Sequence, residues 1–514
     1  MQPTEVKRVT VTSCTLLGIE AQPVEVHLLA QPGSTGIQFH GLSPGAARES
    51  RERVRAALRR LSFDLPSCSI EITFDPAQLG LSHPSVHDLA ITLGLLALSG
   101  HVSPDVLQSR LICGELSLDG AIRSVRGGLS IAELGERLGV AEVLLPSANA
   151  PEAIALGAAP IVSVRCLTDA VEHLTGARPI EALTTATPLL SDPSPEVDLS
   201  EVWGQETAKR ALEVAAAGGH HLLLLGPPGS GKTMLARRLP SLLPPLTLPE
   251  AAAVTKIHSL VAEVPPTGLI LRRPFRSPHC GTSSVGLAGG GTFPRPGEAS
   301  LAHNGVLFLD DLPEFRREPL ESLRQPLDTG FVRRRAGRDG HVQFPARFSL
   351  LAAMNPCPCG HLGDPKYACR CPPPLIDRYR ARVSGPLLDR IDLHVEVPAV
   401  SLKELRSSAG ESSQSVARRV AAARAVQLER FGQVETPYNA AMGAESLSRF
   451  CAVDAAGRAL LDAAFEKLGL SARALDRVLK VARTMADLAG SDSIRSTHLA
   501  EAIQYRVLDR AQIR

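Results

Sequence analysis

A short glycine-rich segment of this 514-residue chain has the residue types and spacing that hold a triphosphate. It follows the apolar run Leu222–Leu225 and consists of Gly226, Pro227, Pro228, Gly229, Ser230, Gly231, Lys232 and Thr233. Glycines let backbone N–H groups close around a β-phosphate, while Lys232 reaches the β- and γ-phosphates and the Thr233 hydroxyl ligates Mg²⁺. The helix expected next adds its positive N-terminal dipole. The segment therefore predicts a site for a nucleoside triphosphate with Mg²⁺.

Two adjacent carboxylates stand where the second part of such a site belongs. The apolar run Val306–Leu309 ends at Asp310 and Asp311, and ligands of α/β proteins sit at the carboxyl ends of the strands. Asp310 has the position of a carboxylate on the metal side, and Asp311 that of the base that activates water. Taken alone, the segment is also typical of a buried strand ending in an acidic turn. The phosphate segment earlier in the chain favours nucleotide hydrolysis.

Two further polar residues extend this pattern. The apolar run Leu350–Met354 predicts another strand and ends at Asn355, whose side chain is placed to hold the attacking water. Arg390 lies in the segment 384–392, where we expect it to be exposed. An exposed arginine there fits a finger that stabilises transition-state charge in the site of a neighbouring subunit. A surface ion pair is the alternative for Arg390.

Four cysteines lie close together in the chain: Cys357, Cys359, Cys369 and Cys371. Four thiolates in so short a segment suit tetrahedral Zn²⁺, with His361 as a spare donor. Disulfides, which a reducing cytoplasm disfavours, and free thiols are the alternatives. A zinc ion here would fold the loop after Asn355 without a catalytic role, because four thiolates leave no open coordination position.

An arginine-rich segment precedes the Leu350–Met354 strand. Residues 331–340 predict a hairpin whose basic residues are Arg333, Arg334, Arg335 and Arg338. Arginines there would hold DNA phosphates without recognising base sequence, and a solvated charged loop is the alternative. A second candidate is the glycine-rich segment 283–291, which begins with Ser283 and Ser284. We expect it to be a flexible loop and not a second phosphate loop, because no lysine follows it.

The elements that position these residues divide the chain into blocks. Residues 1–178 alternate strand-like and helix-like stretches, residues 179–198 predict a linker, and residues 199–398 hold every nucleotide motif. Residues 399–514 are rich in Ala, Leu, Arg and Glu and predict helices. The more specific predictions are strands at 24–30 and 35–40 and helices at 46–61, 415–430, 456–468, 472–489 and 496–509.

Composition bounds the class of protein. Apolar residues make up 44% and charged residues 21%, as in ordinary globular proteins, and the net charge is +2. A surface for DNA must therefore come from local clusters of arginine. No run approaches the roughly 18–20 apolar residues that span a bilayer, and the N-terminus lacks an apolar signal core. These features predict a cytoplasmic protein without a membrane partner.

Long segments together resemble the magnesium-chelatase-like branch of AAA+ ATPases, and within it the ComM (YifB) family of competence proteins. The segments that carry the resemblance are residues 41–58, 202–233, 273–291, 295–315, 352–360, 384–398 and 470–488. The resemblance implies an α/β fold with an AAA+ P-loop ATPase core and an α-helical lid. It also implies a homo-hexameric ring that binds ATP at subunit interfaces and drives DNA branch migration during integration of transforming DNA, beside recombination proteins.

By position, the resemblance assigns Asn355 as sensor 1, Arg390 as the arginine finger and Arg473 as the sensor-2 arginine of the lid. It places the arginine hairpin in the ring pore. One departure concerns the base, because the family has Glu where this chain has Asp311, whose side chain is one methylene shorter. Slower hydrolysis through a shifted water is therefore possible, with Glu314 as a less well placed substitute.

Residues 114–134 resemble the proteolytic domain of Lon proteases, which implies a Lon-protease-like (ribosomal protein S5 domain 2-like) α/β domain at the N-terminus. Such proteases need a serine nucleophile and a lysine base. This chain has Ser130 where the lysine belongs, no lysine lies between Lys7 and Lys209, and Ser85 is the nearest serine to the nucleophile position. We expect a catalytically inactive domain that binds or organises the ring.

Three other classes of function are weighed against a DNA motor. A chelatase-type motor for metal insertion fits the core but not the four-cysteine loop or the Lon-like block. An ATP-dependent protease is disfavoured by the missing lysine. The hypothesis of a non-hydrolysing scaffold gated by ATP is supported only by the shorter side chain of Asp311.

Overall fold

The computed structural model describes the greater part of the chain. Arg338 and residues 185–196 of the predicted linker lie outside the described residues. The described residues are 6–32, 35–63, 68–76, 83–184, 197–261, 264–265, 267–336, 340–364, 367–400, 410–432, 437–506 and 508.

The N-terminal part is a seven-stranded mixed sheet with helices against it. Its strands, in sheet order, are β3 (Gly36–Phe39), β4 (Ser69–Asp75), β2 (Glu20–Gln31), β1 (Lys7–Leu17), β5 (Arg110–Ile112), β8 (Glu142–Pro146) and β9 (Ile161–Val164). A separate two-stranded ribbon joins β6 (Glu115–Leu116) and β7 (Ile122–Arg123). The helices are α1 (Pro44–Arg60), α2 (Asp88–Leu98), α3 (Pro104–Gln108), α4 (Gly128–Leu138), α5 (Ala150–Ala153) and α6 (Leu167–Thr175).

The hydrophobic pattern of each element determines which of its faces packs into the core of this part. In β2, alternate residues such as Val24, Val26 and Leu28 are fully buried, as expected for a strand with one face on a core. Helix α2 is apolar all round, and each of its residues is buried between the sheet and its neighbours. The strands predicted at 24–30 and 35–40 and the helix predicted at 46–61 are confirmed as β2, β3 and α1.

The middle part is an α/β unit around a five-stranded parallel sheet. The strand order is β11 (Phe275–Arg276), β12 (Val306–Leu309), β15 (Ser349–Met354), β10 (Leu222–Leu225) and β16 (Leu393–Glu396). The antiparallel hairpin β13 (Phe331–Ala336) and β14 (Gly340–Pro345) stands apart from it, as predicted. The helices are α7 (Glu206–Gly218), α8 (Lys232–Ala236), α9 (Leu239–Leu242), α10 (Leu248–Ser259), α11 (Ser284–Ala288), α12 (Glu298–Leu301), α13 (Arg317–Ser322), α14 (Arg324–Thr329), α15 (Pro373–Arg380) and α16 (Gly385–Leu388).

The three central strands of this sheet carry the motifs. Every residue of β10 and β12 is buried, because helices cover both faces of the sheet. Parallel pairing of β12 with β15 and of β15 with β10 brings their carboxyl ends to one edge. Each of the three strands is followed directly by a polar motif, so the pairing assembles the motifs in space.

The C-terminal part is helical, as predicted, although the helix predicted at 496–509 ends at Gln504, with Tyr505 as its C-cap. Its helices are α17 (Ser413–Phe431), α18 (Ala444–Phe450), α19 (Ala455–Leu468), α20 (Ala472–Leu488) and α21 (Ser496–Gln504). Helix α20 packs its buried stripe against α7, α17 and α21. Within the described residues, no helix is both long and apolar enough to cross a membrane.

The N-terminal sheet unit is joined to the middle part through α4 and α10. Lys256 of α10 pairs with Glu133 of α4 at 2.5 Å. The hydroxyl of Ser259 accepts a hydrogen bond from the N–H of Gly127 at 2.8 Å. At Gly268, whose φ is +85°, a Cβ would lie 2.1 Å from the carbonyl oxygen of Pro151, so the two backbones touch.

A buried ionic network in the helical part yields a stability prediction. Asp487, whose side chain is fully buried, accepts hydrogen bonds from Arg430 at 2.6 Å and Arg483 at 3.0 Å. The substitution Asp487→Ala leaves two buried guanidinium groups without their carboxylate, so we expect a loss of about 3–5 kcal/mol. Thermal unfolding of the full-length chain measures it. The control Arg324→Ala breaks an exposed pair with Glu321 and costs only about 0–1 kcal/mol. Equal effects of the two substitutions would contradict the buried network.

Candidate active site

The phosphate loop connects β10 to α8, and its glycines are needed there for steric reasons. A Cβ on Gly226 would lie 2.1 Å from the carbonyl oxygen of Val397. Gly229 and Gly231 have φ angles of +75° and +92°, a region that residues with a side chain rarely adopt. Helix α8 begins at Lys232, so its free N–H groups point to the loop's concave side. The loop is therefore built to accept an anion.

Lys232 is held inside this loop by backbone oxygens. Its Nζ donates to the carbonyl oxygens of Gly226 at 2.7 Å and Pro227 at 2.9 Å, and to Oδ1 of Asn355 at 3.2 Å. Burial lowers the pKa of Lys232, while Asp310 and Asp311 oppose that shift. The Oγ of Ser230, in the same loop, is buried without a hydrogen-bond partner. A cation beside an unpartnered hydroxyl and free N–H groups fits a bound phosphate chain.

The acidic edge faces the loop. Thr233 Oγ1 donates to Asp310 Oδ2 at 2.8 Å, which places a hydroxyl and a carboxylate where both can ligate one Mg²⁺. Asn355 Nδ2 donates to Asp311 Oδ1 at 3.4 Å. Asp311 has left-handed backbone angles, φ 50° and ψ 51°, a strained conformation typical of functional positions. Burial and then the neighbouring Asp310 raise the pKa of Asp311, which suits a general base.

Glu314, the substitute base considered from the sequence, is engaged elsewhere. Its carboxylate pairs with Arg382 at 3.1 Å on the surface. Asp311, not Glu314, is therefore the carboxylate that contacts Asn355.

The four cysteines meet in the loop between β15 and α15. Their sulfur atoms all lie within 4.8 Å of one another. The Sγ of Cys357 is 3.4 Å from that of Cys359 and 3.7 Å from that of Cys369, and the Cys359–Cys369 separation is also 3.7 Å. A tetrahedral site with Zn–S bonds of about 2.3 Å has sulfur–sulfur edges of roughly 3.8 Å. The donor set therefore fits Zn²⁺ in number, type and spacing.

Backbone groups favour a thiolate at Cys359, whereas burial and the neighbouring cysteines raise the pKa of Cys369 and Cys371. The N–H groups of His361 and then Arg370 hydrogen-bond to Cys359 and lower the pKa of its thiol to about 6. The N–H of Cys371 donates to the sulfur of Cys369 at 3.4 Å. His361 instead pairs with Asp364 at 3.1 Å, so the spare donor expected from the sequence is already engaged.

The predicted DNA-contacting arginines of the hairpin separate into two groups. Arg333 and Arg335 are exposed on one face of β13, because side chains alternate along a strand. Arg334 points to the other face, where its Nε donates to the carbonyl oxygen of Gly289 at 2.7 Å. Burial lowers the pKa of Arg334. Arg334 is therefore a clamp between the hairpin and the glycine-rich segment.

The glycine-rich segment is more ordered than predicted. Residues 284–288 form helix α11, and the Ser283 hydroxyl caps it by accepting the Gly286 N–H at 3.1 Å. The expectation of a loop is therefore wrong for these residues, because a serine cap and the Arg334 clamp stabilise a helical turn. Ser284 lies at the first position of this turn.

Sequence reasoning missed two exposed residues just after this turn, Phe293 and Arg295. Gly290 and Arg295 exchange backbone hydrogen bonds of 3.1 Å, and the chain between them forms a tight bend. Phe293 lies on this bend with 51% of its surface exposed. The signal that was available is an aromatic residue inside a Gly/Pro-rich stretch, beside an arginine.

The structure does not leave Arg390 exposed as expected. Its guanidinium forms two hydrogen bonds with Asp328 of the same chain, at 2.7 and 2.5 Å, and the side chain is 18% exposed. The ion pair considered from the sequence is thus present within one subunit. Arg473 lies exposed in the first turn of α20, and its side chain forms no hydrogen bond or ion pair with the described part of the chain.

The region that resembles a Lon protease contains no serine–lysine pair. Ser85 lines a cavity of about 170 Å³ together with His83 and Arg126. Ser130 is buried, and its hydroxyl donates to the carbonyl oxygen of Ile19 at 2.6 Å. No lysine lies between Lys7 and Lys209, and among the described residues none lines this cavity, so it lacks the lysine base that Lon-type proteases use.

A phosphate loop follows β10, acidic residues follow β12, and a polar residue follows β15, the strand that lies between these two in the sheet. Together these features define a P-loop ATPase of the AAA+ class, with a helical lid. Family models agree with this assignment. "Magnesium chelatase, subunit ChlI" matches residues 198–405, its C-terminal counterpart matches residues 410–506, and "Subunit ChlI of Mg-chelatase" matches residues 24–149.

Similarity to whole proteins extends over nearly the full chain. The competence protein ComM of Haemophilus influenzae is 40% identical over 503 residues, which are 96% of this chain and 96% of that protein. The uncharacterised protein YifB of Escherichia coli is 40% identical over 505 residues, 97% of this chain and 96% of YifB. A Mycobacterium tuberculosis protein is 39% identical over 499 residues, 96% of this chain and 97% of that protein. The chain belongs to the ComM/YifB family of magnesium-chelatase-like AAA+ proteins.

The contact between Thr233 and Asp310 predicts how nucleotide binding depends on magnesium. In Thr233→Ala the chain loses a metal-side ligand worth about 1.5–3 kcal/mol, so we expect roughly 10- to 150-fold weaker binding of Mg-ATP. Binding of ATP in EDTA should change little. Titration with a fluorescent ATP analogue, with and without Mg²⁺, measures both affinities. An equal loss under both conditions would show that Thr233 acts on the loop itself and not through the metal.

Proposed function

We propose that the protein is an ATP-driven DNA motor that works as a homo-hexameric ring and promotes branch migration. The observation that carries the proposal is the position of the basic hairpin. Arg333 and Arg335 lie on one exposed face of β13, and β14 leads after a short connection into β15, which ends at Asn355 in the nucleotide site. A shift of Asn355 on hydrolysis would pass directly to the hairpin and the phosphates that it holds.

Each subunit would supply most of its own hydrolytic site. Lys232 and the loop N–H groups would hold the phosphates, and Thr233 and Asp310 would hold Mg²⁺. Asp311 would activate the attacking water, with Asn355 orienting both, since its amide bridges Asp311 and Lys232.

A neighbouring subunit would complete the site with Arg390. For this role the guanidinium must exchange Asp328 for the γ-phosphate of the adjacent subunit. Such an exchange keeps the finger idle until the ring closes, because the pair with Asp328 satisfies it in the isolated chain. The exposed Arg473, at the start of α20, would reach the nucleotide as the lid closes.

The DNA surface would include more than the two hairpin arginines. Phosphate contacts are independent of sequence, and exposed aromatic rings add stacking with unpaired bases. Phe293 and Arg295 lie on the bend next to the segment that Arg334 clamps to the hairpin. They therefore belong to the same proposed surface as Ser283 and Ser284, while Arg338 would extend it at the hairpin tip.

Similarity to a competence protein supports a cellular role in DNA uptake. We infer that the motor acts in integration of transforming DNA by homologous recombination, in the cytoplasm and together with recombination proteins. Zn²⁺ would bind Cys357, Cys359, Cys369 and Cys371 as a structural ion, since four thiolates leave no coordination position for a substrate.

A second candidate is a chelatase-type motor that drives metal insertion. The match of residues 198–405 to the ChlI subunit of magnesium chelatase favours it. Such a motor has no need for a pair of exposed arginines on the hairpin, so its ATP turnover should be indifferent to DNA.

DNA-dependent ATP turnover tests the proposal. We expect single-stranded or forked DNA to raise the steady-state rate several-fold, and Lys232→Ala to abolish turnover with and without DNA because it removes the phosphate-binding cation. A rate that is present but unchanged by DNA would favour the chelatase-type motor. If the wild type shows no turnover, Asp311→Glu separates two explanations. A rate regained in Asp311→Glu would identify the missing methylene as the cause, and none regained would reject the ATPase.

The hairpin yields a second prediction. The double substitution Arg333→Ala with Arg335→Ala removes two phosphate contacts, each worth about 0.7 of the salt slope on single-stranded DNA, so we expect the slope of log affinity against log salt to fall by about 1.4. ATP affinity should be unchanged, because both residues belong to β13 and the phosphate loop connects β10 to α8. Fluorescence anisotropy with labelled single-stranded DNA at several salt concentrations measures the slope. Lys7→Ala, which removes one exposed cation at the start of β1, is the charge control, and an equal effect per charge there would contradict a hairpin-specific DNA site.

A further inference from the structure

The four-cysteine loop lies between two parts of the nucleotide site. It starts two residues after Asn355, which follows β15, and it finishes at α15, which begins at Pro373. Arg380 of α15 reaches back to the carbonyl oxygen of Pro356 at 3.3 Å. The loop thus leaves the site at Asn355 and returns to it, with the four sulfur atoms gathered at its base.

One residue of this loop touches the phosphate loop directly. Gly360 is buried and has φ +82°, and a Cβ at this position would lie 2.4 Å from Cδ of Pro228. The N–H of Gly360 donates to the carbonyl oxygen of Cys357 at 2.9 Å, so the turn against Pro228 is formed by the cysteine residues themselves. A change in the conformation of this turn would therefore act on Pro228 and so on the position of the phosphate loop.

A bound metal ion would change the order of that turn. Without an ion, only weak contacts of 3.4 to 3.7 Å join the sulfur atoms, and the loop keeps conformational freedom that nucleotide binding must remove. With an ion, the loop is already closed, because metal ligation and loop folding share one free energy.

We propose that the four-thiolate cluster is an effector site, at which a thiophilic divalent cation raises the affinity of the phosphate loop for nucleotide. The inference rests on the proposed nucleotide site. The effect passes from the sulfur atoms through Gly360 to Pro228, and requires no contact between metal and nucleotide.

Linkage makes the effect reciprocal, so nucleotide must raise metal affinity by the same factor. Two equilibrium measurements test this on the full-length chain. The affinity for a fluorescent non-hydrolysable ATP analogue is measured with zinc-loaded and chelator-stripped protein, and we expect about a tenfold loss on stripping. The affinity for Zn²⁺ is measured with a competing indicator, with and without the ATP analogue, and we expect the same factor.

Two glycines of the loop provide matched variants that keep all four thiolates. Gly360→Ala places a methyl group against Pro228, so zinc-loaded protein should hold one zinc per chain and still bind nucleotide about tenfold more weakly. Gly363→Ala is the control, because Gly363 has nearly the same backbone angle, φ +80°, and nothing lies within 4 Å of its added Cβ. It should bind nucleotide like the wild type.

The outcomes separate the effector role from the metal site and from the nucleotide site. Full nucleotide affinity in stripped protein, or in zinc-loaded Gly360→Ala, overturns the effector role and leaves a structural zinc site. Failure to bind any zinc removes both the metal site and its effector role. Failure of zinc-loaded wild type to bind nucleotide rejects the proposed nucleotide site itself. If stripped protein unfolds, the comparison of Gly360→Ala with Gly363→Ala decides alone.

Discussion

Parallel pairing of β10, β12 and β15 is the constraint on which the rest of the molecule depends. The register Leu225–Met354 and Leu309–Ala352 brings the ends of the three strands to one edge, so residues far apart in the chain form one site. The strands are buried on both faces, and helices therefore have to cover them. The short contacts of Lys232 and Thr233 with Asn355 and Asp310 exist only because this register is held.

Electrostatics at this edge follow from the same burial. Burial disfavours charge on both Lys232 and Asp311, while each favours the charged form of the other. Two backbone carbonyl oxygens and Asn355 accept the hydrogen bonds of the Lys232 ammonium group. The site is therefore prepared for a ligand that brings negative charge and a metal ion together, which is the chemistry of Mg-ATP.

Much of the fold and of the site was predictable because local signals were strong. The phosphate loop, the apolar strands and the helices of the C-terminal part have patterns set by sequence neighbours, and they lie where predicted. The prediction of a flexible loop at 283–291 was wrong for the helical turn, because that turn depends on hydrogen bonds from Arg334. Arg334 is remote in the chain, so no local pattern reveals this contact. The expected exposure of Arg390 was wrong for the same reason, because its partner Asp328 lies in another element.

By itself the sequence determined which chemistry is available: the order of glycines and lysine, the paired carboxylates and four thiols at close spacing. Residue type and spacing along the chain suffice for these, since each motif is one continuous segment. Only the tertiary structure decided which groups meet. It separated Arg334 from Arg333 and Arg335 by strand alternation, gathered the sulfur atoms within 4.8 Å, and placed Gly360 against Pro228. Contacts of that kind depend on packing between remote elements, which spacing along the chain does not encode.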